Sequence, residues 1–299
     1  MATSRFIKDT GLTVRMTLTM FLLGALFVGL VVAVIQYVGT GAAPIVALIA
    51  IAMAFWQWWS SDKVAMRAMR AREVTPEEAP ELHGMIDRLC ALADMPKPRV
   101  GISDMSVPNA FATGRSPDRA VVCVTTGILH TLDAEELEAV LAHELSHVAH
   151  RDVLVMTVAS SAGIAAGLLM RFAQFGGMSR SRNNSAFPAV LVALVVSLVV
   201  YAVSFLLLRL LSRYRELSAD RAGAYLTLKP AALGSALQKI SGEVAASPTR
   251  DLRAGAASAL CIVPALSGGV GGLLATHPPL QQRLEQLARI QAELGRPTG

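Results

Sequence analysis

Charge is scarce in this chain. Asp, Glu, Lys and Arg make up 16% of its 299 residues, against roughly 25% in an ordinary soluble domain. A soluble globule of this size would need more charge to cover its surface. Disorder is excluded from the other side, because apolar types reach 53% and a disordered chain carries far fewer. Cysteine is nearly absent: Cys90, Cys123 and Cys261 are scattered, with no Cys-x-x-Cys pair. That excludes a disulfide-stapled secreted scaffold and suits a reducing compartment. No repeat of fixed period is present, which excludes solenoids and propellers. The formal net charge of +5 invites a nucleic-acid reading, but net charge carries meaning only through its placement. What remains is the composition of a membrane protein.

The missing charge is concentrated. From Met16 to Ser61 no side chain is charged. One spanning helix needs about 20 apolar residues, so this run holds two. Gly39, Gly41 and Pro44 mark the turn between them, which predicts helices near 16–38 and 44–60. The second ends in Trp56, Trp58 and Trp59, amphipathic rings favoured at a bilayer interface. A cleaved leader has an apolar stretch of only about 7–15 residues, so a retained hairpin is expected. A second apolar pair lies at 153–170 and 183–208. At 1.5 Å per residue the first of these reaches about 27 Å against a core of about 30 Å, so it either spans or re-enters. Arg5, Lys8 and Arg15 precede the first hairpin, and Lys63, Arg67, Arg70 and Arg72 follow it. By the positive-inside rule both flanks are cytoplasmic. The basic excess thus orients a hairpin and gives no reason to expect nucleic acid. Arg171, Arg180 and Arg182 lie in the loop of the second pair, which favours a hairpin that does not cross.

The polar stretches read as folded structure. The expected division is 1–61 as a transmembrane hairpin, 62–152 as the first part of a polar domain, 153–210 as the second hairpin and 211–299 as the second part. Thr75-Pro76-Glu77-Glu78 has the form of a capping box with proline at the first helical position, predicting a helix over 76–93. Segments 99–103 and 120–126 have strand character, with 109–112 as a third strand between turns. Asp133-Ala134-Glu135-Glu136 opens a helix running to about 150. Leu280, Leu284, Leu287 and Ile290 share one face of a last helix. Residues 242–276, rich in Gly, Ala and Ser, read as a mobile loop region. The fold class is mainly α with a small β-sheet.

The helix from 134 carries His143-Glu144-Leu145-Ser146-His147. Histidines four apart lie on one helix face. Neutral imidazoles so placed can share one Zn²⁺, with the Glu144 carboxylate placed to take a proton from an attacking water. A third ligand at position 153 is ruled out, since that residue is Val. Glu216 and Asp220, four apart after the last apolar segment, share a face of a second helix. One can ligate the ion while the other accepts the free N–H of a ligating histidine. Glu216 could instead pair with Arg209 or Arg213, and His150 is a competing third ligand. If residues on both sides of the second apolar pair hold one ion, that pair returns to its starting side and the site lies close to the membrane.

HELSHVAHRDVLV from His143, NAFATGR at 109–115, VTTGIL at 124–129, RELSAD at 215–220 and THPP at 276–279 together resemble the HtpX family of bacterial membrane zinc metalloproteases, related to the CAAX prenyl proteases. The resemblance implies a gluzincin-like catalytic domain facing the cytoplasm, interrupted by the second hairpin, in a multi-pass protein of the cell membrane. It implies one Zn²⁺ per chain held by His143, His147 and Glu216, with Glu144 as catalytic base, which leaves Asp220 as the carboxylate that accepts from a ligating histidine. His277 and Asn109 match family positions that face the developing oxyanion and the substrate. His277 would otherwise cap the helix that follows it, and Asn109 would be a plain turn residue. The expected partners are the lipid bilayer and misfolded, damaged or membrane-embedded polypeptide substrates, cleaved in a quality-control role. The competing expectation is an inactive membrane scaffold that keeps zinc for structure.

Overall fold

A computed structural model describes residues 9–38, 43–152, 187–246 and 278–295. By backbone proximity the chain divides into two compact units. One is built from the polar stretches Ser61–Val153 and Ser212–Gly299 with the first residues of the chain, the other from Thr13–Ser60 and Leu154–Leu211.

The polar unit is mainly helical around a small mixed sheet. Its strands are β1 (Ala71–Glu73), β2 (Arg99–Ser103), β3 (Ala110–Thr113) and β4 (Val121–Thr125), in the order β1-β2-β4-β3. β2 and β4 run parallel, with Val100 opposite Val122; the two outer pairings are antiparallel. Every residue of β4 is buried, as expected of an inner strand covered on both faces. Helices α3 (Pro80–Ala93), α4 (Thr126–Thr131) and α5 (Ala134–Ala149) accompany the sheet. Leu82, Ile86 and Leu89 of α3 join Val122 and Val124 of β4 and Val140, Leu141 and Leu145 of α5 in one core. Its other side is closed by α7 (Pro230–Ala246), through Leu233, Leu237 and Ile240, and by α8 (Leu280–Leu294), through Leu287 and Ile290.

Some elements depart from the sequence expectation. The helix predicted over 76–93 begins only at Pro80. The Thr75 N–H does donate to Glu78 Oε2 at 2.9 Å, but this closes a turn. Proline excludes the helical region for the residue before it, and Ala79 accordingly sits at φ −141° and ψ 64°. β1 and α4 have no counterpart in the sequence expectation; both are too short for periodicity to reveal. The expected loop region from 242 begins inside α7, which runs to Ala246.

The apolar elements are longer than predicted. α1 spans Thr10–Val38, its start held by Asp9 Oδ1 accepting from the Leu12 N–H at 2.8 Å. α2 spans Ala43–Ala68, continuing past the tryptophans through Lys63, Ala65, Met66 and Arg67, all good helix formers. Within α1, Thr10–Val32 is long and apolar enough to cross a membrane, the one such segment among the described residues, and only 22% of its most apolar window is buried. Phe21, Leu48, Ile51 and Trp56 are each about two-thirds exposed or more. The last apolar segment and the Glu216 segment form one continuous helix, α6 (Phe187–Thr227). The segment 153–170 and the arginine-bearing loop lie outside the described residues.

Candidate metal centre

The site is built on α5. Its start is fixed by a complete capping box: Asp133 Oδ1 accepts from the Glu135 and Glu136 N–H groups, and Glu136 Oε2 accepts from the Asp133 N–H. From Ala139 to Val148 every residue is buried, so α5 runs through the middle of the unit and not along its surface. The helical repeat then puts His143 and His147 on one face, their Nε2 atoms 3.3 Å apart.

α6 lies against that face. The contact is made close by Gly223, where an added Cβ would stand 3.0 Å from the His143 backbone nitrogen. This approach brings Glu216 between the histidines, Oε2 3.5 Å from His143 Nε2 and Oε1 3.6 Å from His147 Nε2. His143, His147 and Glu216 form a buried group whose ligand atoms lie within 4.8 Å of one another, the one group of this kind among the described residues. His150, the alternative ligand, is not part of it; its backbone closes the end of α5 by donating to Ser146.

Each histidine is held from behind by an aspartate. Asp220 Oδ1 lies 2.9 Å from His143 Nδ1, and Asp152 Oδ2 lies 2.7 Å from His147 Nδ1. Each aspartate in turn faces an arginine. Arg283 of α8 donates to both oxygens of Asp220, at 2.7 and 2.6 Å, and Arg215 Nε lies 2.9 Å from Asp152. Burial pushes Asp220 upward, but the Arg283 guanidinium outweighs it and holds the carboxyl down at about 2. Asp152 is likewise held low, burial being overcome by Arg215 and His147. Burial pushes His143 down, yet the carboxylates of Asp220 and Glu216 lift it to about 9. Glu144 is raised, chiefly by burial, against the pull of His143 and His147.

A divalent cation fits this arrangement on two counts. The Nδ1 atoms face aspartates while the two Nε2 atoms and the Glu216 carboxylate converge at 3.3, 3.5 and 3.6 Å, so a shared cation would take the Nε2 lone pairs of both imidazoles. A tetrahedral ion with bonds of about 2.0–2.1 Å separates its ligand atoms by about 3.3–3.4 Å, close to the spacings just given. The charges agree as well. Four buried carboxylates, Glu144, Asp152, Glu216 and Asp220, gather at the site, a setting in which a divalent cation offsets negative charge.

Asn109 is buried immediately before β3, which packs on α5. Its N–H donates to Thr125 Oγ1 at 2.9 Å, and its carbonyl accepts from the Thr125 N–H. His277 lies outside the described residues. Asp152 and Arg283 escaped the sequence reading. Arg283 carried a usable signal: it occupies the apolar stripe of α8, where a charge demands a buried partner. Asp152 carried none beyond its nearness to the motif. Burial pushes the Cys90 thiol up to about 11 and Cys123 up to about 12, so neither offers a thiolate at neutral pH.

A buried HExxH helix facing a glutamate-bearing helix across a three-ligand group is the arrangement of a metallopeptidase. Similarity to known proteins agrees. The family model for Peptidase family M48 matches residues 76–291, and the chain belongs to that family. It is 56% identical to Protease HtpX homolog 1 of Streptomyces coelicolor, over 98% of this chain and 97% of that one. It is 48% identical to a Protease HtpX homolog of Moorella thermoacetica, over 96% and 97% of the two chains. The crystal structure of S. mikatae Ste24p shares the fold, with a TM-score of 0.50 at 18% identity over 93% of this chain and 67% of that one.

Proposed function

We propose that the chain is a multi-pass, membrane-bound zinc endopeptidase that cleaves misfolded or damaged membrane polypeptides at the cytoplasmic face. The observation that carries this reading is the buried His143–His147–Glu216 group with an aspartate behind each histidine. One Zn²⁺, held by those three residues, would supply Lewis-acid polarisation of a peptide carbonyl and of an attacking water.

The chain's own residues do the rest. Glu144 accepts the water's proton on its carboxylate and returns it to the leaving amine nitrogen. Burial that raises Glu144 brings it nearer to neutral pH, where a group can both take and give a proton. Asp220 and Asp152 keep the imidazoles oriented through Nδ1. Among the described residues β3 is an edge strand of the sheet, and a substrate backbone added along such an edge would pass Asn109 at its start. His277 would donate to the developing oxyanion, a contribution of the order of 10²–10³ in rate. The exposed apolar faces of α1 and α2 support seating in a bilayer, and the Lys and Arg residues flanking them support a cytoplasmic catalytic unit.

Glu144→Gln tests the reading. Purified in detergent, this variant should keep one zinc per chain and lose cleavage of an unfolded membrane-protein substrate. Undiminished cleavage would sink the role of Glu144. A wild-type chain that binds zinc and cleaves no polypeptide would point to a zinc-keeping scaffold instead.

A further inference from the structure

We infer that Asp152 is a positioning residue of the metal centre. It holds His147 in the tautomer that presents Nε2 to the ion and, through Arg215, ties the Glu216 helix to the HExxH helix. The inference rests on the reading of His143, His147 and Glu216 as zinc ligands.

Asp152 stands just beyond α5 and is fully buried. The chain reaches it through Arg151, which adopts the left-handed conformation at φ +57°. That conformation costs a non-glycine residue about 1–2 kcal/mol, so the surrounding contacts must hold it. The contacts are those of Asp152: its Oδ2 faces both His147 Nδ1 and Arg215 Nε, at 2.7 and 2.9 Å. Arg215 immediately precedes Glu216 in sequence, so a pin on Arg215 fixes the helix segment that delivers the third ligand.

The two aspartates brace the site in opposite directions. Asp220 belongs to α6 and holds a histidine of α5, with Arg283 behind it. Asp152 follows α5, holds the other histidine, and reaches across to an arginine of α6. Each ligand-bearing helix thereby orients a group on the other. Asparagine at position 152 could still accept the Nδ1 proton, but it would bring no charge to His147 or to Arg215. Loss of such a partner typically weakens metal binding about 10–100-fold.

The experiment uses the full chain in detergent and measures zinc affinity by competition with a chromophoric chelator. Asp152→Asn should weaken zinc binding about 10–100-fold. Placed on a His147→Ala background, the same substitution should cause little further loss, because its target is gone. In cobalt-loaded protein, the hyperfine-shifted N–H proton of one bound imidazole should move in Asp152→Asn while that of the other stays. Arg215→Met should give a smaller loss of affinity, since it leaves the His147–Asp152 contact in place. Wild-type affinity in Asp152→Asn, or an equal loss with and without His147, would overturn the inference while leaving the zinc reading standing. A wild-type chain that binds no zinc would overturn both.

Discussion

Arg283 is among the most deeply buried large side chains of the described residues, 2% exposed, and it donates to both oxygens of Asp220. A buried ion pair is weak evidence for net stability, but breaking one by removing a single partner costs about 3–5 kcal/mol. Arg283→Met should therefore lower the melting temperature markedly, since the buried Asp220 carboxylate would lose its guanidinium. Adding Asp220→Asn should recover part of the loss, a coupling that a melting series on the single and double variants would read. Strictly additive losses would contradict a direct partnership. At this scale the sequence is half legible. His143, Glu144 and His147 announce themselves because four-residue spacing becomes proximity on any helix. Asp152 and Arg283 do not, because their meaning depends on what folding brings opposite them.

Among the elements, α5 and α6 carry the site, and their closeness turns on Gly223. A methyl group there would press on the His143 backbone, which cannot move aside as a flexible side-chain end would. Gly223→Ala should push α6 away, destabilise the chain by about 1–3 kcal/mol and lower zinc affinity, measured by melting and by chelator competition. The start of α5 makes a different prediction. Asp133 is held below its usual range by the Glu136 N–H it accepts. Glu136 is also held low: burial pushes it up, but Lys239, Ser235 and the Asp133 N–H outweigh that. Groups with depressed pKa values stabilise the fold above the ordinary carboxylate range and lose that contribution as pH falls below it. In metal-free protein, the stability gap between wild type and Asp133→Asn/Glu136→Gln should be full near pH 6 and close below about pH 4. A gap unchanged in acid would show that the cap contributes through shape and not charge. Element boundaries were legible where a cap was complete, as at Asp133, and misread where a nearby proline took the role, as at Pro80.

For the whole molecule, the balance of buried charge gives the plainest prediction. The centre gathers four buried carboxylates, and an ion that binds only the folded state stabilises it by mass action. Removing metal with a chelator should lower the melting temperature and abolish cleavage, and added Zn²⁺ should restore both. Equal melting of chelated and zinc-loaded protein would contradict the assignment. The low charge content that opened the sequence also divides between the two units. It is concentrated in the elements whose large apolar side chains stay exposed, α1, α2 and the apolar part of α6, while the polar unit carries the charges that build and brace the site.

Local rules settled what could be known from the chain alone. Helical spacing aligned His143 with His147 and Glu216 with Asp220, the capping box started α5, and uninterrupted apolar runs marked α1 and α2. Each of these depends on residues within a few turns of one another, so composition and periodicity suffice. Folding alone decided that Glu216 meets the histidines, that Arg283 and Asp152 brace them, and that β2 pairs in parallel with β4. Apart from the Asp152–His147 pair, those contacts join residues tens of positions apart, and their free energy comes from burial and charge pairing, which no local pattern records.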